Sequence, residues 1–191
     1  MKPLPVFLDR DGVINENRDD YVKSLSEWVP IEGAMEAIAA LSEAGHPVVV
    51  VTNQSAVARG YCGIEQVKAI HSKLMGMAED TGGIISSVYY CPHHPNDGCR
   101  CRKPATGMIL RARKELDLPD GGYMVGDAAS DMELGERAGL KTVLVLTGRG
   151  EDQLEIMESG GDVLPWRVAD DITEACRIIL DDSSGESHRE N

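Results

Sequence analysis

The sequence is poor in aromatic residues, which make up 4% of its 191 residues and include a single phenylalanine. A hydrophobic core of this composition is expected to be aliphatic. Long hydrophobic runs are missing as well, since no stretch reaches the roughly 18 apolar residues that a membrane-spanning helix requires. No signal peptide is recognisable, because Met1-Lys2-Pro3-Leu4 leads directly into the first predicted strand. We therefore expect a cytoplasmic protein that does not associate with membranes.

Basic residues are also scarce, with 19 Lys and Arg against 32 Asp and Glu, for a net charge of −13. This balance argues against nucleic-acid binding, which needs a basic face to displace counterions. A small anionic substrate in a locally positive pocket remains compatible with it. The pattern predicts no apolar surface patch, so we expect a monomer.

Short β-branched runs alternate with longer segments of helical periodicity. The predicted strands are 5–9, 47–52, 84–91, 122–127 and 141–146, and the predicted helices are 33–44, 63–81, 106–116 and 130–138. Such alternation predicts a Rossmann-like three-layer α/β fold, a parallel sheet with helices on both faces. No insertion is long enough for a large cap. We expect one domain over residues 1–180 and a disordered polar tail over 181–191.

Polar residues end three of the predicted strands. Asp9 and Asp11 follow the first strand, Thr52 ends the second, and Asp127 ends the fourth. The carboxyl ends of parallel strands meet at one edge, where ligands bind in such sheets. Carboxylates at a buried strand end are costly unless a cation meets them, and Mg²⁺ bridging carboxylate and phosphoryl oxygens would do so. The pattern therefore indicates Mg²⁺-dependent phosphoryl chemistry.

A second cluster of candidate metal ligands lies in the loop over residues 91–104. Cys91, Cys99, Cys101 and one of two adjacent histidines, His93 or His94, fall within 11 residues. Three thiolates and an imidazole match a closed tetrahedral zinc site, which is structural because no position is left open. The loop, fixed by Zn²⁺, would hold Arg102 and Lys103 at the active-site edge.

The chemical signals also have a characteristic order along the chain: Asp9-x-Asp11, Thr52, Lys103 and Gly126-Asp127-x-x-x-Asp131. This ordered set resembles the haloacid dehalogenase superfamily of Mg²⁺-dependent phosphotransferases. The resemblance implies that Asp9 is the nucleophile, that Asp11 is the general acid and base, and that Thr52 and Lys103 bind phosphate. It also implies that Mg²⁺ contacts the carboxylates of Asp9 and Asp127 and the backbone carbonyl of Asp11.

The cysteine loop narrows the resemblance to a branch that contains phosphatases of heptose bisphosphates and of histidinol phosphate. The segment TNQSAVARG at residues 52–60 agrees at seven of nine positions with the TNQSGIARG of the heptose enzymes. The resemblance favours His93 as the zinc ligand and Arg102 as the ligand of a distal anion. The residues that it places in or beside the substrate pocket are Asn17, Tyr21, Asn53, Gln54, Ser55 and Arg59. One departure is Ala128, where some heptose enzymes have a lysine.

The resemblance implies hydrolysis of the 7-phosphate of D-glycero-D-manno-heptose 1,7-bisphosphate through an aspartyl-phosphate, to give heptose 1-phosphate for nucleotide-heptose and lipopolysaccharide synthesis. Histidinol-phosphate phosphatase is the near alternative, with the same chemistry on a cationic substrate. Two other classes are a non-catalytic zinc-binding interaction module and a phosphorylated signalling domain. The net charge opposes a nucleic-acid module, and a signalling domain needs neither Asp11 nor the cysteine loop.

Overall fold

A parallel β-sheet organises the molecule. The structure, a computed structural model, describes residues 3–161 and 163–186. Its strands within that part are β1 (Val6–Leu8), β2 (Val48–Asn53), β3 (Ile85–Cys91), β4 (Tyr123–Gly126), β5 (Lys141–Val145) and β6 (Arg167–Ala169). They lie in the order β3-β2-β1-β4-β5-β6, and each neighbouring pair is parallel.

Helices cover both faces of the sheet. Those in the described part of the chain are α1 (Ala34–Glu43), α2 (Ile64–Asp80), α3 (Gly107–Leu116), α4 (Ala129–Ala138), α5 (Gly150–Glu158) and α6 (Ile172–Glu186). The core of one face joins the sheet to α1, α2 and α6, and the cores of the other join it to α3, α4 and α5. The predicted three-layer α/β fold is confirmed.

Alternate side chains along each strand pack into the cores on opposite faces of the sheet. Val48 and Val50 pack towards α1, α2 and α6, whereas Val49 and Val51 pack towards α3 and α4, because successive strand residues point to opposite faces. All four valines are fully buried. Burying one such side chain stabilises the fold by about 1.5–3 kcal/mol. A continuous valine run is therefore what a strand covered on both faces requires.

The order of the strands places the functional edge. From β1 the chain moves outwards through β2 and β3, and from β4 it moves the other way through β5 and β6. β1 and β4 are direct neighbours, with Leu8 in register with Val125. The residues that follow these two strands, Asp9 and Asp127, therefore meet at the switch point, where open parallel sheets form their ligand crevice.

The connection between β1 and α1, residues 9–33, forms a folded loop and not a cap domain. Its side chains Val13, Ile14 and Trp28 belong to the core. Bridges from Asp11 to Asn15 and from Asn15 to Pro30 fix its backbone. The prediction that there is no large cap is thereby confirmed for the part of the chain that the structure describes.

The disorder predicted from Asp181 is wrong for the first six residues of that tail, because α6 continues to Glu186. Tyr123 Oη donates to Asp182 Oδ2 over 2.7 Å, and Lys141 Nζ contacts the same oxygen at 2.6 Å. These contacts anchor the end of a segment that has no apolar residue. Residues 187–191 lie outside the described residues. No helix among the described residues is both long and apolar enough to cross a membrane.

Candidate active site

Asp9, directly after β1, forms a buried ion pair with Lys103. Lys103 Nζ lies 2.8 Å from Asp9 Oδ1, and the two side chains are 2% and 7% exposed. The backbone N–H of Arg10 also donates to Asp9 Oδ1 over 2.7 Å. The carboxylate is thus held in one orientation by a charge and a backbone donor, a charge-assisted arrangement that is stronger than a neutral hydrogen bond.

Lys103 is positioned by both its backbone and its ammonium group. Its N–H donates to Asn53 Oδ1 over 3.0 Å, and Asn53 Nδ2 donates back to its carbonyl over 3.3 Å. Nζ contacts Asp131 Oδ1 at 2.7 Å and donates to the Val51 carbonyl over 3.1 Å. Burial disfavours the charged form, but Asp131 and Asp9 outweigh it and raise the pKa of Lys103 above its ordinary value. Lys103 is a fixed cation.

The carboxylates of Asp9, Asp127 and Asp131 form a compact group, named here the acid cluster. Each offers an oxygen, and these oxygens lie within 4.8 Å of one another. Burial, and then the charge of Asp9, raises the pKa of Asp127. Burial also raises the pKa of Asp131 to about 7, with Lys103 opposing and the two neighbouring carboxylates adding to the shift. Asp131 Oδ2 is buried without a hydrogen-bond partner among the described residues, so the acid cluster keeps an acceptor that a cation could satisfy.

A second cation reaches the acid cluster from the loop after β5. Arg149 Nη2 lies 3.0 Å from Asp127 Oδ1, and the Arg149 N–H and Nε donate to Asp127 Oδ2 over 3.0 and 3.3 Å. This loop approaches closely only because Gly148 and Gly12 lack side chains. A Cβ on them would lie 2.4 and 2.2 Å from Asp127 Oδ2, and both have positive φ. Ala128 carries no charge, so the cation beside Asp127 comes from Arg149.

Asp11 lies in a separate cradle of donors. Arg10 forms a fork onto it, with Nη2 2.8 and 2.9 Å from the two carboxylate oxygens and Nε 3.1 Å from Oδ1. Asn15 Nδ2 and Gln54 Nε2 donate to it over 2.9 and 2.8 Å. Burial opposes ionisation, but the charge of Arg10 and these hydrogen bonds outweigh it and hold the pKa of Asp11 below its usual range. The side chain stays 22% exposed and can reach a ligand.

A polar cavity of about 400 Å³ opens above these groups. Its lining includes Asp9, Asp11, Asn17, Arg18, Asp19, Tyr21, Thr52, Asn53, Ser55, Arg59, Arg102, Lys103, Ser130 and Arg149. Arg59 lies over the Tyr21 ring, 5.9 Å from its centroid, and Tyr21 has a left-handed φ of 68°. Arg102 Nη1 is buried without a hydrogen-bond partner in the described part of the chain. This wall is suited to an anionic ligand.

The loop after β3 brings together Cys91, His93, Cys99 and Cys101, named here the cysteine cluster. The three sulfur atoms lie 3.3–3.6 Å apart, and His93 Nδ1 lies 3.4 and 3.2 Å from the sulfurs of Cys91 and Cys101. Sulfurs that share one tetrahedral zinc at ~2.3 Å would be roughly 3.8 Å apart. The spacing fits a shared metal ion. His94 instead accepts from the Asn96 N–H.

The structure brings most of the predicted site residues to one cavity. The predicted substrate-binding residues that line it are Asn17, Tyr21, Thr52, Asn53, Ser55, Arg59, Arg102 and Lys103. Gln54 differs, because it is 3% exposed and lies behind the cavity, where its amide donates to Thr52 Oγ1 as well as to Asp11. The Asp11 carboxylate lies outside the acid cluster, and its predicted metal contact through the backbone carbonyl stays a prediction.

Three residues of the site were missing from the predicted set. Asp131 belongs to the Gly126-Asp127-x-x-x-Asp131 motif, whose spacing places it in the first turn of α4, facing Asp127, and this signal was available. Arg10 and Arg149 gave no such signal. A single arginine in a loop is a solvated charge in most proteins, and only the fold shows that these two reach carboxylates.

Comparisons with known proteins agree with this geometry. A family profile described as "Haloacid dehalogenase-like hydrolase" matches residues 6–102, and a second HAD-hydrolase-like profile matches residues 100–175. The D-glycero-beta-D-manno-heptose-1,7-bisphosphate 7-phosphatase of Pseudomonas putida is 46% identical over 151 residues, which cover 78% of this chain and 86% of the relative. The protein of the same name from Neisseria meningitidis serogroup A is 38% identical over 183 residues, which cover 94% and 96%.

A solved structure extends the likeness to the fold. The crystal structure of D,D-heptose 1,7-bisphosphate phosphatase from B. bronchiseptica, complexed with magnesium and phosphate, matches with a TM-score of 0.86 and 36% identity, covering 94% of this chain and 99% of that one. The chain belongs to the haloacid dehalogenase-like hydrolases.

Proposed function

We propose that the chain is a Mg²⁺-dependent phosphatase that removes the 7-phosphate of D-glycero-β-D-manno-heptose 1,7-bisphosphate and leaves the heptose 1-phosphate. One observation carries the proposal: the 46% identity over 151 residues with a relative that bears this activity in its name. The β anomer is taken from the same name. The product would serve nucleotide-heptose biosynthesis and, through it, lipopolysaccharide.

The charges of the acid cluster support Mg²⁺ as the cofactor. When all three carboxylates are ionised, they outnumber the two cations Lys103 and Arg149 and leave one net negative charge, which would repel a phosphate. A divalent cation on Asp9 and Asp127, with Asp131 beside it, reverses that sign, and hard carboxylate oxygens are the ligands that Mg²⁺ takes. When bound, it would supply positive charge that offsets the repulsion between the Asp9 carboxylate and the phosphate of the substrate.

The first chemical step transfers the phosphoryl group to Asp9. An Asp9 carboxylate oxygen attacks phosphorus, the bond from phosphorus to the sugar oxygen breaks, and that oxygen takes a proton from Asp11. A phosphate dianion beside Asp11 raises the pKa of that carboxyl by repulsion, so that it can carry the proton. Lys103 stabilises the charge on the transferring group, and Thr52, whose Oγ1 already accepts from Gln54, can donate its hydroxyl hydrogen to a phosphoryl oxygen.

The second step frees the enzyme. Asp11 takes a proton from water, the water oxygen attacks phosphorus, and the bond between phosphorus and Asp9 breaks to release phosphate. The donors around Asp11 favour its carboxylate over the acid, so Asp11 is in the deprotonated form from which a general base acts.

The arginine-rich wall of the cavity supports a substrate with a second phosphate. Among the described residues Arg102 Nη1 is buried without a hydrogen-bond partner, and a guanidinium is the preferred fork for a phosphate. Arg59, held against Tyr21, adds positive charge to the same wall. Such a wall disfavours the cationic substrate of a histidinol-phosphate phosphatase.

The cysteine cluster is proposed to hold a structural zinc ion. Four protein ligands complete a tetrahedral site, and the loop that they fix carries Arg102 and Lys103. We further propose that the enzyme is a monomer. We also propose that it is cytoplasmic, because none of its five cysteines forms a disulfide, as in a reducing compartment. Size-exclusion chromatography with light scattering tests the oligomeric state.

The proposal is tested by phosphate release with Mg²⁺ from the α and β anomers of heptose 1,7-bisphosphate and from histidinol phosphate. We expect the β anomer to be turned over fastest. Asp9→Asn should lower its rate by more than about 10³-fold, because the covalent route is lost.

Each of the other possible outcomes of this test would contradict a particular part of the proposal. Faster turnover of the α anomer would change the anomer, and preference for histidinol phosphate would overturn the substrate. Absence of turnover on all three substrates would overturn the proposed function.

A further inference from the structure

Arg10 is a buried cation to which the mechanism above assigns no step. It stands between Asp9 and Asp11, and its side chain is fully buried. Burying a guanidinium is costly unless its donors are all engaged. Nε and Nη2 form the fork onto Asp11, and Nη2 also donates to Gln54 Oε1 over 3.1 Å. Nη1 points away from the cavity, towards α2.

The partner of Arg10 Nη1 is His71, whose Nε2 lies 3.2 Å away. Arginine can only donate, so His71 must accept with the lone pair of Nε2, which requires a neutral ring with its hydrogen on Nδ1. Burial, and then the charge of Arg10, lowers the pKa of His71 to about 3, in agreement with a neutral ring. The contact therefore persists at all ordinary pH values.

His71 is itself fixed from two sides. It lies on the buried stripe of α2 and is 6% exposed. Its ring packs on Tyr90, with centroids 5.3 Å apart, and Tyr90 lies in β3 in register with Thr52. The helix and the sheet thus hold the acceptor at a set position behind the catalytic edge.

Arg10 transmits this position to Asp11. A planar fork fixes the plane of a carboxylate as well as its distance. Without an acceptor at Nη1, the guanidinium would keep an unsatisfied buried donor and would turn to find one. The Asp11 carboxylate would then turn with it, away from the geometry in which it meets the leaving group.

We propose that His71 is a positioning residue, which through Arg10 holds Asp11 in the orientation for proton exchange with the leaving sugar oxygen and then with water. The inference rests on the proposed function in one respect, the role of Asp11 as the general acid and base.

The test compares two phosphate esters in His71→Leu, which removes the acceptor, and in His71→Gln, whose Oε1 replaces it. Heptose bisphosphate needs a proton on its leaving alkoxide. 4-Nitrophenyl phosphate does not, because nitrophenolate leaves as the anion. In His71→Leu we expect kcat/KM for the sugar to fall by about 10–100-fold, a part of what general acid catalysis contributes, and kcat/KM for the nitrophenyl ester to change by less than about threefold. His71→Gln should restore kcat/KM for the sugar and leave kcat/KM for the nitrophenyl ester unchanged.

A second signature comes from the hydrolysis step, which needs Asp11 as base for either substrate. With nitrophenyl phosphate, His71→Leu should release one equivalent of nitrophenolate in a burst and then turn over slowly. A purely structural role of His71 would instead lower kcat/KM for both esters by the same factor, without a burst. That result, or full activity of His71→Leu on both esters, would overturn the inference.

If His71→Leu does not fold, His71→Asn replaces it, because asparagine keeps the polarity but is too short to reach Arg10. Failure of the proposed function is recognised separately, from the wild-type protein. If the wild type does not hydrolyse heptose bisphosphate, the comparison is made with any alkyl phosphate that it accepts, and the outcomes keep their meaning.

Discussion

The acid cluster and the cysteine cluster lie at the same edge of the sheet but balance their charge in opposite ways. The acid cluster is buried and already contains two protein cations, Lys103 and Arg149. In the cysteine cluster, the sulfurs have one another and the His93 ring as their nearest polar side-chain partners, and three of its four residues are at least partly exposed. One site is compensated by the protein, whereas the other depends on what it binds.

The pKa values express the same difference. Burial raises the pKa of the Cys91 thiol to about 12, so without a metal this sulfur keeps its proton. A bound metal ion would displace that proton, so that binding at the cysteine cluster and folding of its loop are coupled. Lys103 stays charged beside Asp9 and Asp131 without any metal. We therefore expect metal removal to affect catalysis at the acid cluster and folding at the cysteine cluster.

The largest effect is expected from Lys103→Met, which removes a buried cation that balances the negative charge of the acid cluster. The change leaves Asp9 and Asp131 as buried, unpaired carboxylates, so the free energy of unfolding should fall by about 3–5 kcal/mol. The loss of a charge that stabilises the transition state should lower kcat by about 10²–10³-fold. Urea denaturation in chelator and steady-state kinetics in Mg²⁺ measure the two effects.

Lys68→Met is the matched control, because Lys68 is 56% exposed and pairs with Glu65 on the surface of α2. It should leave the free energy of unfolding nearly unchanged, because water and salt screen an exposed ion pair. If Lys103→Met is as stable as this control, the acid cluster does not need its internal cation.

A smaller effect is expected from Cys101→Ser, which removes one ligand of the cysteine cluster. The bound zinc should fall from one ion per chain towards none. At a zinc concentration 1,000 times the dissociation constant, the free energy of unfolding should then fall by about 4 kcal/mol. Activity should decrease less than in Lys103→Met, because two hydrogen bonds from the Asn53 side chain still hold the backbone of Lys103. Elemental analysis and denaturation measure the change, and Cys62→Ser, outside the cluster, is the control.

Removal of Mg²⁺ sharpens the same comparison. Dialysis into a buffer without Mg²⁺ removes the weakly held ion and leaves a four-ligand zinc ion in place. It should abolish turnover and leave the denaturation midpoint nearly unchanged, the reverse of the pattern in Cys101→Ser. Equal loss of stability in both experiments would contradict the distinction between the two clusters.

Much of this fold could be predicted, because β1 to β5 and α1 to α4 have strong local patterns. Each begins and ends within one residue of its predicted bounds. Among the remaining elements, β6 and α5 carry weaker signals. In β6, Arg167 and Val168 are exposed, so no apolar run marks the strand, and α5 buries little beyond Gly150 and Met157. These two elements form because they pack on elements that precede them in the chain. Local sequence patterns do not show such packing.

The candidate site could be predicted in part, for the same reason. Asp9, Asp11 and Asp127 stand at ends of recognisable strands, and the spacing of the cysteines is a signal in itself. Arg149 lies in a glycine-rich loop whose approach to Asp127 depends on Gly148 and Gly12 fitting closely around that carboxylate. Such contacts arise from the tertiary fold alone. The sequence therefore does not reveal that Arg149 balances part of the negative charge of the acid cluster.

The smallest effect is expected from Arg149→Met, which removes the more exposed of the two cations. The Arg149 side chain is 53% exposed, so solvent screens its charge, and its pair with Asp127 should contribute no more than about 1 kcal/mol, or about fivefold in a binding constant. Because the guanidinium repels Mg²⁺ and occupies Asp127 oxygens, its removal should tighten Mg²⁺ binding to the substrate-free protein by up to that factor. Inorganic phosphate, which gains from every cation at the cavity, should bind more weakly.

Isothermal titration with Mg²⁺ alone and then with phosphate measures the expected gain in Mg²⁺ affinity and the expected loss of phosphate affinity. The control is Arg177→Met, because Arg177 on α6 is 65% exposed. Weaker binding of Mg²⁺ in Arg149→Met would mean that Arg149 orients Asp127 for the metal and does not compete with it. In that case the residues around the acid cluster would serve to set the geometry of its ligands more than to balance their charge.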